Sequence, residues 1–345
     1  MKYSIIVPVF NRPDEVNELL ESLAHQKEKD FEVIVVEDGS QKPCKDICEH
    51  YKDMMDIHYY YKENSGPGQS RNYGAERATG EYLLILDSDV VLPERYLKAV
   101  SDELSREPAD AFGGPDKAHS SFTDTQKAIS YSMTSFFTTG GIRGGKKKMD
   151  KFYPRSFNMG IRKDVYLHLN GFSNMRFGED IDFSIRIFKA GYKCRLFPEA
   201  WVWHKRRTDF HKFWRQVYNS GIARINLYKK YPESLKLVHL LPMVFTLGVI
   251  GTLALFIAGL ILYSMNMGIG TLYLSYICLF LIALYAIALF ADSTKQNRSI
   301  KIGFLSIRAA FTQLTGYGCG FLSAWWKRCV KGEKEFSAYK KTFYK

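Results

Sequence analysis

From residue 237 to residue 291 the chain runs for 55 residues without an Asp, Glu, Lys or Arg, although these four types supply 24% of the whole sequence. A solvated linker of that length does not avoid charge so completely. Ser, Asn and Gly interrupt the run near 264–271 and leave two apolar stretches, about 240–263 and about 272–290. Each comes close to the roughly 20 residues that a helix needs to cross some 30 Å of hydrocarbon. Buried helices of a large soluble protein would normally carry a polar stripe. The segment therefore predicts a transmembrane helical hairpin, and two convincing spans are too few for a transporter.

The formal net charge of +12 gathers on either side of that hairpin. Residues 201–236 hold nine Lys/Arg against two acids, and residues 292–345 hold eleven against three. Basic loops next to a span belong on the cytoplasmic side, near anionic headgroups. Membrane lipids, and no nucleic acid, are thus the expected partners of this charge. Within the basic tail, 302–326 is apolar but contains Arg308, Gln313 and the interruption Gly316-Tyr-Gly-Cys-Gly320, features costly at the bilayer centre. An interfacial or re-entrant helix is expected there. Residues 1–10 lack the basic stretch and cleavage site of a signal peptide, which places the N-terminal domain in the cytoplasm. Cys44 and Cys48 have no second pair at zinc-ligand spacing and read as reduced structural thiols.

Ahead of the hairpin, runs rich in β-branched and aromatic residues recur at 3–8, 31–37, 57–61 and 82–86, with helix-like stretches between them. In the first of these helices Pro13 stands near the first helical position, and Val16, Leu19, Leu20 and Leu23 make an apolar face. Strand alternating with helix implies a mainly parallel sheet covered on both faces. Ligands of such sheets bind beyond the carboxyl ends of the strands. Those ends carry Pro8–Asn11, Asp38-Gly39-Ser40, Asn64-Ser65-Gly66-Pro67-Gly68 and Asp87-Ser88-Asp89. Any one is ordinary turn chemistry, but four at successive strand ends point to a site. Asp87 and Asp89 close a buried strand, and two carboxylates so near each other repel unless solvated or bridged by a cation. A divalent metal carrying a diphosphate would use them, since Mg²⁺ and Mn²⁺ prefer oxygen ligands.

Several ordered blocks resemble those of family-2 inverting glycosyltransferases with the GT-A fold. They are Ser4-Ile-Ile-Val-Pro-Val-Phe-Asn-Arg12, Val33-Ile-Val-Val-Glu-Asp-Gly-Ser40, Asn64-Ser-Gly-Pro-Gly-Gln-Ser-Arg-Asn-Tyr-Gly74 and Tyr82-Leu-Leu-Ile-Leu-Asp-Ser-Asp89. Phe157-Asn-Met-Gly-Ile-Arg-Lys-Asp164, Asn170-Gly-Phe172, Phe177-Gly-Glu-Asp-Ile-Asp182 and Trp203-His204 resemble the acceptor-side half of the same family. The resemblance covers about residues 1–235, a donor half over 1–115 and an acceptor half over 116–235. It implies a nucleotide-sugar donor, a UDP-sugar before others, together with Mn²⁺ or Mg²⁺ and a glycan or lipid-linked acceptor. Pro8, Asp38 and Arg71 would line the nucleotide, Asp38 accepting a base N–H. Asp87 would contact ribose or metal, and Asp89 would be the principal metal ligand. Asp180 would be the general base with Glu179 positioning it or the acceptor, and His204 completes the metal shell in some members.

Each role has a rival: Asp38 as a turn cap, Arg71 as a surface cation, Glu179 and Asp180 as helix caps, His204 as a hydrogen-bonded structural histidine. A non-catalytic scaffold that binds polysaccharide or a partner synthase remains the alternative function. A sugar-phosphate nucleotidyltransferase would need a Gly-rich basic loop after the first strand, which 8–13 is not. Glu37 stands where many family members have an aspartate, a tolerable change if it faces away from the base. In place of the Gln-x-x-Arg-Trp block of processive synthases there is only Phe213-Trp-Arg-Gln216, which favours addition of one sugar or a few. The loop 140–148 reads either as a lid or as a solvated turn.

Overall fold

The computed structural model describes residues 3–117, 122–139, 152–205, 207–266 and 269–335. The loop 140–148 and the last residues of the tail lie outside them. The described residues divide into two compact units, one made of 3–117 and 152–205, the other of 122–139, 207–266 and 269–335.

In chain order the elements are β1 (Tyr3–Val9), α1 (Pro13–Ala24), β2 (Phe31–Asp38), α2 (Lys45–His50), β3 (Asp56–Lys62), α3 (Pro67–Arg77), β4 (Tyr82–Leu86), β5 (Val90–Val91), α4 (Tyr96–Arg106), β6 (Ala111–Gly113) and β7 (Asp116–Lys117). There follow α5 (Asp124–Thr134), α6 (Phe136–Thr139), β8 (Asn158–Arg162), α7 (Lys163–His168), α8 (Glu179–Lys189), β9 (Cys194–Leu196) and β10 (Val202–His204). Four long helices close the series: α9 (Phe210–Lys230), α10 (Leu241–Ser264), α11 (Gly270–Asn297) and α12 (Ile300–Trp325).

In the first unit a seven-stranded sheet has the order β3-β2-β1-β4-β8-β6-β9. The pairings among β1 to β4 are parallel, while β8 runs antiparallel to both β4 and β6. The apolar side chains of β1, β2 and β4 are buried on both faces of the sheet, the signature of strands covered from two sides. Val16, Leu19, Leu20 and Leu23 of α1 are fully buried against one face, as their helical spacing predicts. Because β2 lies on one side of β1 and β4 on the other, the strand order reverses at β1. That reversal opens a crevice at the carboxyl ends of β1, β2 and β4. On the other face α3 lies very close to the sheet at Gly74, where a Cβ would stand 2.7 Å from Ile6 Cγ2 and 3.3 Å from Val36 Cγ2.

A second, three-stranded sheet of order β5-β10-β7 decides the site. Antiparallel pairing sets His204 opposite Val90, and the Lys205 N–H donates to the Asp89 carbonyl at 3.1 Å. A residue far along the chain is thereby clipped beside the acids that follow β4.

In the second unit α5, α9 and α12 bury an ordinary apolar cluster that includes Ile129, Phe213 and Ile302, whereas α10 and α11 pack differently. On α10 and α11 the large apolar side chains Leu247, Ile250, Ile257, Ile277, Phe280 and Ile287 are exposed, whereas Thr246, Thr252, Ser275 and Ser293 are buried. Small and weakly polar residues facing the helix partners with apolar residues facing outward is the pattern of helices in a hydrocarbon solvent. Within Leu237–Ser264 and Gly270–Asn297, 18-residue stretches reach mean hydropathies of 2.4 and 2.5, and both helices are long and apolar enough to cross a membrane. The glycines expected to interrupt 302–326 do not break the helix; α12 runs through them. They serve close packing instead: a Cβ on Gly320 would lie 2.0 Å from the Tyr218 carbonyl oxygen of α9, and one on Gly318 would lie 2.1 Å from Thr246 Oγ1 of α10. Arg308 of α12 places its guanidinium 4.4 Å from the centre of the Phe210 ring.

Replacing Gly74 with Val should destabilise the first unit by about 1–3 kcal/mol, the scale of overpacking a filled core. A thermal melt of the full chain in detergent reads this as a lowered midpoint. An unchanged midpoint would mean that α3 is not held this close to the sheet.

Candidate active site

Asp38 ends β2, and its carboxylate closes the crevice on the β3 side. Oδ1 accepts the Ser65 N–H at 2.9 Å and Oδ2 the Gly66 N–H at 2.9 Å, while Lys62 donates to Oδ1. Asp38 thus ties the 64–66 loop to the strand end and keeps capacity on Oδ2 for one more donor. Pro8, half-buried near the end of β1, lies in register with Val36 of the neighbouring strand. Strand alternation sends Glu37 to the opposite face. There Glu37 is fully buried and accepts from Ser40, from the Cys44 N–H at 2.8 Å and from Tyr59 at 3.4 Å. It faces away from the crevice, which is why an aspartate is not required at that position. Cys44 and Cys48 are buried free thiols, and hydrogen bonding with Cys48, then burial and the Glu37 carboxylate, push the Cys44 thiol far up.

Arg71, on α3 and only 4% exposed, spans the crevice floor. One nitrogen donates to Asp87 at 2.8 Å and another to Glu179 at 3.3 Å. The acceptor-side acids reach it because Asn72 clamps the Asn170–Phe172 turn to α3. Its amide donates to the Phe172 carbonyl at 2.9 Å and accepts from the Phe172 N–H at 2.8 Å and the Tyr166 hydroxyl at 2.6 Å. Arg186 secures the same turn from α8 by donating to the carbonyls of Leu169 and Gly171, both at 2.6 Å. Gly178 then adopts a left-handed φ of 87° and starts α8, with Glu179 and Asp180 in its first turn. Acids there are favoured by the helix dipole. Asp180 Oδ1 accepts the Ile181 N–H at 2.8 Å.

The metal-type ligands converge. One ligand atom from each of Asp87, Asp89 and His204 lies within 4.8 Å of the others. His204 Nε2 is 3.2 Å from Asp89 Oδ1, and Phe157 stacks on the imidazole at 4.8 Å between ring centres. His204 Nδ1 is buried and has no hydrogen-bond partner among the described residues. The imidazole thus meets Asp89 through Nε2 and leaves Nδ1 without such a partner. Two carboxylates and one imidazole suit Mn²⁺ or Mg²⁺ with a diphosphate completing the shell. A second group, Glu32, Asp56 and His58, is structural: buried Glu32 accepts from Ser4 and from the Thr79 N–H and hydroxyl, all at 2.6 Å, and exposed His58 pairs with Asp56 at 3.0 Å.

Sequence reasoning singled out the acids but not their protein partners. Lys62 on Asp38, Arg12 on Asp89 and Phe157 on His204 emerge only from the fold. Arg12 and Phe157 lay inside blocks already noted, so position was the one available signal.

A parallel sheet whose order reverses at β1, with acids at its strand ends, is the architecture of a GT-A-type fold. The model of the family described as "Glycosyl transferase family 2" matches residues 4–169, a stretch that contains β1 to β8. Among curated relatives, an uncharacterized glycosyltransferase of Rickettsia bellii is 39% identical over 88 residues, which are 26% of this chain and 13% of that protein. The poly(ribitol-phosphate) beta-N-acetylglucosaminyltransferase TarS of Staphylococcus aureus is 38% identical over 102 residues, 28% of this chain and 18% of that one. The chain thus spans less than a fifth of these relatives' length. Glycosyltransferase AglE of Haloferax volcanii is 24% identical over 246 residues, covering 70% of this chain and 78% of that protein. Among solved structures, the mannosyltransferase PcManGT from Pyrobaculum calidifontis, in complex with GDP-Man and Mn²⁺, superposes with a TM-score of 0.57. Its identity is 16%, over 94% of this chain and 87% of that one, and the likeness is one of fold.

Burial, reinforced by neighbouring Asp180 and only partly offset by Arg71, pushes the Glu179 carboxyl up to about 7. The folded chain therefore binds this proton more tightly than the unfolded chain. The resulting stability is complete below the ordinary carboxylate range and is lost as pH rises through about 7. Glu179→Gln lacks that dependence. Its thermal midpoint relative to wild type should rise between pH 5 and pH 8, and a difference that stays constant over this range rejects the raised value.

Proposed function

We propose that this chain is an inverting, metal-dependent glycosyltransferase that moves a sugar from a nucleotide-sugar donor to a hydroxyl of a glycan or lipid-linked acceptor at the cytoplasmic membrane face. The carrying observation is the convergence of Asp87, Asp89 and His204 at the crevice, joined through Arg71 to the start of α8. A non-catalytic scaffold has no need of this arrangement.

In this reading the base lies against Pro8 and gives its N–H to Asp38, the carboxylate with which Lys62 pairs. Asp87, Asp89 and His204 hold Mn²⁺ or Mg²⁺, which when bound supplies positive charge against the departing diphosphate. Arg71 fixes Asp87 and Glu179 at one spacing. Asp180 takes the proton of the acceptor hydroxyl as that oxygen attacks the anomeric carbon from the face opposite the diphosphate, inverting configuration. Glu179 positions the acceptor beside it. That PcManGT is in complex with both GDP-Man and Mn²⁺ supports a divalent ion alongside a nucleotide-sugar donor. A UDP-sugar is the proposed donor, as the family's commonest, and the lack of a Gln-x-x-Arg-Trp block supports transfer of one sugar or a few.

For location, the two long apolar helices cross the membrane and α12 lies along its cytoplasmic side. Arg308 and Gln313 within α12, and Lys327, Arg328, Lys331 and Lys334 after it, support a course that does not cross. The basic segments then meet anionic lipid on the side where a lipid-linked acceptor presents its head group.

Two substitutions separate the donor and acceptor roles. Asp89→Ala should abolish Mn²⁺-dependent binding of the donor nucleotide in calorimetry; unchanged affinity would remove Asp89 from the site. Asp180→Asn should leave donor binding nearly intact and cut transfer by at least about a hundredfold, the scale of a lost general base. Equal losses of binding and turnover would mark Asp180 as structural.

A further inference from the structure

Both oxygens of Asp89 are engaged by the protein itself. The Arg12 guanidinium pairs with Oδ2, and His204 Nε2 stands 3.2 Å from Oδ1. The Asp89 side chain is 8% exposed and that of Arg12 is 32% exposed, so the guanidinium reaches inward from the rim of the crevice. The backbone beneath it is fixed. Asn11, at a φ of 54°, donates its N–H to Ser40 at 2.7 Å and accepts from the Gln41 and Lys42 N–H groups at 2.8 and 3.1 Å. Arg12 follows as the residue ahead of α1. A rigid turn thus carries a long side chain whose one anchor among these contacts is the metal-type carboxylate.

A divalent cation on Asp87, Asp89 and His204 would share the Asp89 carboxylate with Arg12, the cation at Oδ1 beside His204 Nε2 and the guanidinium at Oδ2, and two positive charges so close repel. Each therefore weakens the other's hold on Asp89. A released guanidinium at the mouth of a donor site is geometrically matched to phosphate oxygens, which it binds through two parallel N–H donors. We propose that Arg12 is a resident counter-charge for Asp89 that yields to the metal and then binds the donor diphosphate, so that metal and donor bind cooperatively. The inference rests on the donor-site reading above and adds a donor-binding residue to it. Arg12 weakens metal binding while the donor is absent and strengthens diphosphate binding once the metal is present, a coupling that linkage makes reciprocal.

The test uses the full chain in detergent micelles. Free Mn²⁺ is followed by electron paramagnetic resonance without nucleotide, and inorganic pyrophosphate is then titrated calorimetrically at saturating Mn²⁺. Arg12→Met should bind Mn²⁺ about tenfold more tightly than wild type and pyrophosphate about tenfold more weakly, the scale of one charged hydrogen-bond partner. Arg12→Gln, also neutral, should match it, whereas Arg12→Lys, which keeps the charge, should remain within about threefold of wild type for Mn²⁺. Neutral variants with Mn²⁺ affinity equal to or below that of wild type, or a wild type that binds pyrophosphate no better than they do, overturn the proposal. Asp89→Ala distinguishes the two levels: its loss of Mn²⁺ binding upholds the metal site whatever Arg12 does, and retention of binding sinks the site itself.

Discussion

A guanidinium that is almost wholly buried joins the two halves of the first unit. Arg71 leaves α3 and meets Asp87 from the end of β4 and Glu179 from the start of α8. A buried charge is tolerated only when it is paired and hydrogen-bonded, so these elements hold one spacing or Arg71 is left costly and alone. The consequence is preorganisation. The acids that follow the strands and those that open α8 come from segments about ninety residues apart in the chain, yet they share one cation and need not find each other when ligands arrive.

Around that link the crevice is furnished with cations on acids. Lys62 rests on Asp38 and Arg12 on Asp89, with His204 on the other Asp89 oxygen. Without such partners, several carboxylates gathered at the strand ends would repel one another. The protein's own cations therefore allow these acids to stand close together. Glu37 illustrates the opposite use of a carboxylate: one residue before Asp38, it turns to the other face and builds the loop that follows.

In the helical unit, α10 and α11 are long and apolar enough to cross a membrane. Thr246, Thr252, Ser275 and Ser293 are buried on them while many of their Leu, Ile and Phe side chains are exposed, an arrangement suited to helices packed through small and weakly polar residues. Glycines 316, 318 and 320 allow α12 to touch the backbone of α9 and the side chains of α10. A glycine run that reads as a break in a linear sequence thus acts as a packing surface once neighbouring helices are present.

Period and composition are local, and by themselves they determined much of this protein. The four strands ending in Val9, Asp38, Lys62 and Leu86 were legible from their apolar runs, the amphipathic α1 from its spacing, and the two long apolar helices from their lack of charge. Asp38, Asp87 and Asp89 were visible because each follows such a strand. Tertiary structure alone decided what each of them meets. Pairing of β10 with β5 sets His204 on Asp89, the Asn72 clamp brings Glu179 to Arg71, and compactness assigns α5 and α9 to the helical unit. These are contacts between residues distant in the chain. Register and close approach choose them, and neither is encoded in the neighbourhood of any single residue.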